Sequence, residues 1–295
     1  MLDLAGSWRQ NRGAAESEGV KVASGQEHDV AAIMGGLYGD GIIGLKGAFT
    51  REWADALAAD VWRVWERVGG KPGGALPRGP HRFYVECSPE DIGGFVDLAI
   101  HPWFVAVCEA VLGPDYRIVE VGFDIPFPGA ADQPWHRDFK APPETTVGRR
   151  LNSLAFNLTT VDTRAEHGPF EVAPGTQWDD IAGAKDDMFP DRSLWGRYEE
   201  RAVQKLPRRG DISARSALTI HRGTANRSDE PRPVLVLGVD APDGINAHHH
   251  DLQVTRGYLD GLPARVRDHL TCRVVERLAM IEQHHVIEGL LQPTY

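Results

Sequence analysis

Gln133-Pro134-Trp135-His136-Arg137-Asp138-Phe139 sets an imidazole and a carboxylate two residues apart, just after a stretch that alternates like a strand. In an extended chain residues i and i+2 project to one face, so His136 and Asp138 can offer a ring nitrogen and a carboxylate oxygen to one point. A non-haem iron site takes two neutral imidazoles and one carboxylate on a single face of the metal, so this pair supplies two of the three ligands. His-x-Asp also occurs in surface turns, and a third ligand must come from elsewhere in the chain. Of the 12 histidines, His221 is the best placed. It ends the apolar run Ser216-Ala217-Leu218-Thr219-Ile220, where a strand histidine can point into a barrel. Beyond the segment Gly223 to Pro231, read as a hairpin loop, Arg232 opens the strand Pro233-Val234-Leu235-Val236-Leu237. Antiparallel pairing is expected to set Arg232 beside His221, where a guanidinium can grip the distal carboxylate of a keto acid.

The surrounding sequence is rich in short strands. Val119, Val121, Phe123, Ile125 and Phe127 alternate with Glu120, Gly122 and Asp124, which marks one buried face; Glu120 and Asp124 then face either solvent or a pocket. Further strands are expected around Trp135 to Phe139, Leu151 to Val161, Phe170 to Ala173, Asp211 to His221 and Arg232 to Val239. Gly-Pro and Pro-Gly turns separate several of them, the pattern of an all-β sandwich or barrel. By alternation Ser213, Arg215, Ala217 and Thr219 share a face with His221, so Arg215 is a candidate to reach a substrate carboxylate, with a salt bridge as the alternative. Arg222 points the other way. Gln133 and Asn157 can hydrogen-bond a co-substrate or satisfy backbone groups. Trp135 is read as packing and Arg137 as surface.

Helices flank this core. Thr50 caps a helix over Arg51 to Val68, with Trp53, Leu57, Val61, Trp62 and Trp65 at helical steps, and another is expected near His101 to Leu112. Lys71 to Pro80 is a breaker-rich loop, either a lid or a connector. Beyond Asp251 the spacing of Val266, Leu270, Val274, Leu278 and Ile281 reads as helical. The whole chain is read as one oxygenase domain: a loose arm over 1–30, a helical part over 31–115, a jelly-roll core over 116–245 and a helical part over 246–295.

Composition narrows the function. The chain has 295 residues, is 42% hydrophobic and 25% charged, and can bury a substantial core. A formal charge of −10 argues against nucleic acid or an anionic membrane as partner and favours a small molecule. Three scattered cysteines and the lack of a leader-like or membrane-length apolar run point to the cytoplasm, as a monomer or homodimer. The run His248-His249-His250 reads as a solvated stretch or pocket rim rather than a second metal site.

Taken in order, Trp135-His136-Arg137-Asp138, His167-Gly168-Pro169-Phe170-Glu171-Val172-Ala173-Pro174-Gly175-Thr176, Gly210-Asp211 ahead of His221, and Asn226, Ser228 and Arg232 after it resemble the phytanoyl-CoA dioxygenase family of iron(II)- and 2-oxoglutarate-dependent oxygenases. The resemblance spans roughly residues 35 to 240. It implies a mainly β double-stranded β-helix with flanking helices, iron held by His136, Asp138 and His221, 2-oxoglutarate held by Arg232, and O2 as the second co-substrate. It implies hydroxylation or a related oxidation of a small molecule with release of succinate and CO2. Related halogenases carry a small residue at the position of Asp138, so its carboxylate favours oxygen transfer. Many relatives carry Ser or Thr two residues after the distal histidine to help hold the co-substrate; here that position is Gly223, with Thr224 next. Where relatives often read Pro-Gly-Ser-His, this chain reads Pro174-Gly175-Thr176-Gln177. The alternatives are a metal-binding jelly roll without turnover, a zinc hydrolase on the same ligands, and an acyl-CoA hydroxylase. A keto-acid clamp at Arg232 argues against the first two, and the lack of a clear basic cluster for the phosphates argues against the third.

Overall fold

The computed structural model describes residues 28–179, 181 and 188–282. The arm expected at the N-terminus falls outside these residues up to residue 27, as does the chain from residue 283 on. In chain order the elements are α1 (Val30–Gly35), β1 (Ile42–Leu45), α2 (Arg51–Val68), β2 (Leu76–Pro77), β3 (Arg82–Glu86), α3 (Phe95–Ala99), α4 (Pro102–Leu112) and β4 (Arg117–Pro126). They continue with α5 (Pro143–Gly148), β5 (Ser153–Thr159), β6 (Phe170–Val172), α6 (Trp195–Glu199), β7 (Val203–Lys205), β8 (Ile212–Ser216), β9 (His221–Gly223) and β10 (Val234–Asp240). The last are β11 (Gln253–Thr255), α7 (Arg256–Gly261), α8 (Ala264–Arg267) and β12 (Arg273–Val275).

Two antiparallel sheets form the jelly roll. The larger runs β1-β8-β5-β10-β4-β3-β2, and the smaller runs β7-β6-β9. Period-2 alternation gives the larger sheet two unlike faces. Val121, Phe123 and Ile125 on β4, Leu154, Phe156 and Leu158 on β5, and Leu235, Leu237 and Val239 on β10 are all buried in one apolar cluster. Trp53, Leu57, Val61, Val64 and Val68 of α2 and Phe104, Val107 and Cys108 of α4 pack into the same cluster. The opposite face carries Arg82, Tyr84, Glu120, Asp124, Asn157, Ser213 and Arg215, which line a cavity of about 150 Å³ together with residues of the smaller sheet. The sheet therefore divides the molecule into an apolar half that holds it folded and a polar half that holds the site.

Helix α2 starts where the sequence indicates: the Thr50 hydroxyl accepts the Trp53 N–H at 3.2 Å, a cap worth about 1 kcal/mol. Its aromatic stripe is core, as expected. Helix α4 likewise begins after His101, whose Nδ1 accepts the Trp103 N–H.

Several local readings are corrected. The segment between His221 and Arg232 is not a hairpin between paired strands. Strand β9 pairs with β6 in the smaller sheet, while β10 lies between β5 and β4 in the larger. The connection instead crosses from one sheet to the other and is tied down by Asn226, whose Nδ2 donates to Pro126 O and Glu230 O. The strand expected over Asp211 to His221 is interrupted at residues 217–220, where the Ser216 hydroxyl accepts the Leu218 N–H and the Thr176 hydroxyl accepts the Ile220 N–H. This is a second crossing between sheets; Ser213, Arg215, Ala217 and His221 still line one cavity, as alternation indicated, whereas Thr219 leaves it and donates to Gly41 O. Around Trp135 to Phe139 only an isolated bridge between His136 and His221 forms.

Loop 71–80 contains the two-residue strand β2, paired with β3. In the C-terminal part the expected helix over Val266 to Ile281 gives the four-residue α8 and then β12, parallel to β11. Leu270 bridges to Ile118, and Val274 is exposed, so the apolar spacing serves two short elements instead of one helical stripe. Arg137, read as surface, is buried; its guanidinium donates to Thr176 O and Asp179 O. Trp135 is buried in a second apolar cluster with Tyr198 and Ile220, as expected of a packing residue.

Candidate metal and co-substrate site

His136, Asp138 and His221 converge. One ligand atom from each lies within 4.8 Å of the others. The backbones of His136 and His221 exchange N–H···O bonds of 3.0 Å in each direction, and the Asp138 N–H donates to Ala217 O at 3.0 Å. A chain segment with almost no strand of its own is thus pinned across from β9 and residue 217 by backbone bonds on two of the clustered residues themselves.

The protonation pattern suits a metal. His136 Nδ1 lies 2.8 Å from Pro134 O, and His221 Nδ1 lies 2.8 Å from Thr219 O. A carbonyl can only accept, so each ring carries its proton on Nδ1 and leaves Nε2 as a lone pair. Burial pushes both imidazoles below their ordinary pKa, His136 well below, with His221 adding to the effect on His136 and Arg215 to that on His221. Burial would raise the Asp138 carboxyl, but Arg215 and His221 outweigh it and hold the group well below the usual carboxylate range. Two neutral imidazoles and one ionised carboxylate are the donor set an iron(II) site requires. The His221 ring is stacked on Phe170, with centroids 5.0 Å apart, which shields that side from water.

Arg232 is buried and faces the same cavity. Its Nε donates to His167 O and one terminal nitrogen to Gly168 O. Gly168 has φ of 69°, and a Cβ there would meet Thr224 O at 2.6 Å, so this turn requires glycine. Burial, and then neighbouring Arg82, bring the Arg232 pKa down to about 10. Arg82, which sequence reading missed, is buried and donates to Asp124 at 2.8 Å and to Thr224 O at 3.0 Å. Its partner residue in the sheet is Pro126, whose carbonyl accepts the Arg232 N–H, so the two arginines flank one residue on adjacent strands. Arg82 is thus paired with Asp124, while the Arg232 guanidinium donates to the carbonyls of His167 and Gly168. This surplus of positive charge is what the distal carboxylate of a dicarboxylic keto acid would neutralise. A signal for Arg82 did exist, since it starts a strand of alternating residues, but nothing in that strand says which neighbours it will meet.

The departure at Gly223 has a structural counterpart. A Cβ at Gly223 would lie 2.3 Å from Arg82 Nη1, so the arginine fills the space a Ser or Thr would need. Thr224 does not take over: its hydroxyl donates to Pro169 O, and it is not among the residues lining the cavity. Gln133 lines the cavity, but its Oε1 accepts the Gly223 N–H, which leaves only its amide N–H groups for a ligand. Asn157 lines the cavity from β5. Arg215 does point inward, but toward Asp138, 2.6 Å from Oδ2. Arg222 points away and pairs with Glu171, as alternation indicated. Gln177, at the second departure, donates toward Leu37 O, Tyr38 O and Gly39 O and so fastens the N-terminal helices to the turn.

The far wall of the cavity holds Tyr84, Glu120, Asn246, His249 and His250. His250 lies between two buried acids, Nδ1 3.3 Å from Glu86 and Nε2 3.5 Å from Glu120. Tyr84 donates a short hydrogen bond to Glu120. Burial would lower the His250 pKa, but Glu120 and Glu86 raise it. The acids of β4, ambiguous in sequence, thus face the pocket, and the histidine run forms part of its rim.

The sequence profile described as phytanoyl-CoA dioxygenase (PhyH) matches residues 37–234, more than half of the chain. The chain belongs to the phytanoyl-CoA dioxygenase family. It is an enzyme of the iron- and 2-oxoglutarate-dependent class to which that family belongs. Solved structures share the fold. The non-heme alpha-ketoglutarate-dependent carbocyclase SnoK from nogalamycin biosynthesis is 20% identical, with a TM-score of 0.59 over 74% of this chain and 86% of that one. AviO1 from Streptomyces viridochromogenes Tue57 is 17% identical, with a TM-score of 0.56 over 74% of this chain and 97% of that one. The epimerase SnoN, solved with Fe3+, alpha-ketoglutarate and nogalamycin RO, is 19% identical, with a TM-score of 0.56 over 75% of this chain and 89% of that one. Among the described residues no helix of this family member is long and apolar enough to cross a membrane.

Proposed function

We propose that this member of the phytanoyl-CoA dioxygenase family oxidises a C–H bond of a small specialised metabolite, using iron held by His136, Asp138 and His221 and 2-oxoglutarate anchored by Arg232. The observation that carries the reading is the pairing, in one cavity, of two Nε2 lone pairs and a carboxylate with a buried guanidinium surplus. When bound, iron and 2-oxoglutarate supply the oxidising chemistry, with succinate and CO2 as by-products.

The residues do the rest. His136 and His221 present fixed, unprotonated Nε2 atoms because Pro134 and Thr219 hold the opposite nitrogens. Arg232 and Arg82 set the orientation of the keto acid by its far carboxylate, with Gly168 and His167 carbonyls fixing the Arg232 fork. Phe170 and Phe139 line the cavity as apolar surface and limit water near the ligands. The carboxylate of Asp138 occupies the position where a halogenase would leave room for chloride, which favours hydroxylation or a related oxidation.

The rim of Tyr84, Glu120, Asn246 and His250 offers hydrogen-bonding groups to a polar, oxygen-bearing substrate, and the origin of two structural neighbours in nogalamycin biosynthesis supports the same direction. The test is succinate release from 2-oxoglutarate with iron and air, across a panel of oxygen-bearing small metabolites that includes nogalamycin RO. Substrate-stimulated release that is lost in Asp138→Ala supports the reading. Full turnover in Asp138→Ala would overturn the ligand assignment.

A further inference from the structure

Neither metal ligation nor co-substrate anchoring accounts for Arg215. Strand β8 carries it on the cavity face, opposite Ile42 on β1 and Ala155 on β5. Ala155 is small, which leaves the long side chain room to lie across the cavity toward the smaller sheet. There its Cζ sits 5.4 Å from the ring centre of Phe170. Its Nη1 donates to Asp138 Oδ2 at 2.6 Å and reaches Ser216 O at 3.4 Å. The other carboxylate oxygen, Oδ1, lies 3.3 Å from His221 Nε2. The two oxygens of Asp138 therefore face different partners, one the imidazole lone pairs and the other a guanidinium.

We propose, on the reading that these three residues hold iron, that Arg215 is a positioning residue that reserves Asp138 Oδ2 and makes the carboxylate a one-oxygen ligand. A free carboxylate can chelate a divalent ion through both oxygens and so take an extra coordination position. Holding iron while leaving positions open for the co-substrate and oxygen would require each of the three protein residues to offer a single atom. The Asp138 backbone is already fixed by its bond to Ala217 O, so the remaining freedom is rotation of the carboxylate, and the short charge-assisted bond to Arg215 removes it. A guanidinium suits the place because it stays charged when buried and its planar edge matches a carboxylate oxygen. This also explains why Arg215, although it faces inward, does not serve as a substrate clamp.

The test uses the full chain loaded anaerobically with cobalt(II), whose visible absorption reports coordination number. Binding affinity and spectrum are compared for wild type, Arg215→Met, Arg215→Lys and His136→Ala. The methionine variant is expected to show an altered cobalt spectrum as Asp138 swings to two-oxygen binding, without loss of affinity, since chelation and removal of a neighbouring cation both favour a divalent ion. The lysine variant, which restores a cation to Oδ2, is expected to move back toward wild type. A purely structural arginine would alter folding stability without changing the cobalt spectrum. A wild-type cobalt spectrum in Arg215→Met would overturn the proposal while leaving the metal site intact. Equal cobalt binding by wild type and His136→Ala would overturn the metal reading itself. A crystal structure of metal-loaded wild type needs no variant: one metal bond to Oδ1 with Oδ2 on Arg215 supports the proposal, and Oδ2 on the metal overturns it.

Discussion

Replacing Gly223 with serine places a side chain where Arg82 now lies. The added Cβ would sit 2.3 Å from Nη1, 2.6 Å from Cζ and 2.7 Å from Nη2 of the guanidinium. A carbon–nitrogen contact needs about 3.5 Å, so the group must retreat by roughly 1 Å. An exposed arginine would do so freely, but Arg82 is buried and bonded to both Asp124 and Thr224 O. Losing one of these charge-assisted bonds costs about 1.5–3 kcal/mol, so Gly223→Ser is expected to lose about 2 kcal/mol of stability. In a protein of this size that lowers Tm by roughly 4–8 °C. In an Arg82→Ala background the space is vacant and the serine should fit, so the same substitution becomes nearly neutral and the two changes couple by about 2 kcal/mol. Chemical or thermal unfolding of the four proteins measures this directly. If Gly223→Ser costs the same in both backgrounds, the arginine does not fill the space and the account of this departure from the family pattern is wrong.

Other outcomes follow from the same site. Arg232→Met should weaken 2-oxoglutarate binding by about 10²–10³-fold, since a buried charge-assisted anchor is lost; calorimetric titration of the metal-loaded protein checks this, and unchanged affinity would refute the anchor. His136 and His221 both titrate below their ordinary value, so the unfolded chain binds protons that the native site refuses. The apo protein should therefore lose stability as pH falls below about 6.5, and His221→Asn should flatten that part of the profile. His250 has the opposite sign: its raised pKa gives stability that is present at low pH and lost as pH rises through the folded value. His250→Gln should accordingly be more destabilising at acidic than at alkaline pH, as read from unfolding curves at each end.

What could be read in the sequence was whatever depends on local periodicity. The two-faced β4 and the capped α2 were legible because alternation and capping declare them, and the cluster of His136, Asp138 and His221 because the order and spacing of its residues resemble a known family, although neither His136 nor Asp138 lies in a regular strand and His221 begins β9 rather than ending β8. The pairing of β9 and β10 was not, because an apolar strand, a polar loop and another apolar strand look alike whether the strands pair or part into separate sheets. Arg82 was missed for a related reason: its importance comes from Pro126, Arg232 and Gly223, all distant in the chain. The C-terminal stripe misled because a short helix followed by a strand can repeat apolar residues at helical intervals.

Strand β5 places Ala155 on the cavity face between Leu154 and Phe156, which belong to the apolar core. Along one strand, neighbouring codons therefore answer to separate constraints, one to folding and the next to what the cavity can admit. A library that varies the inward positions of β5 and β10 but keeps Ala155, whose small size makes room for Arg215, would reshape substrate preference while leaving the packing against α2 and α4 untouched. The chain can in this way drift toward new substrates without crossing a stability threshold at each step.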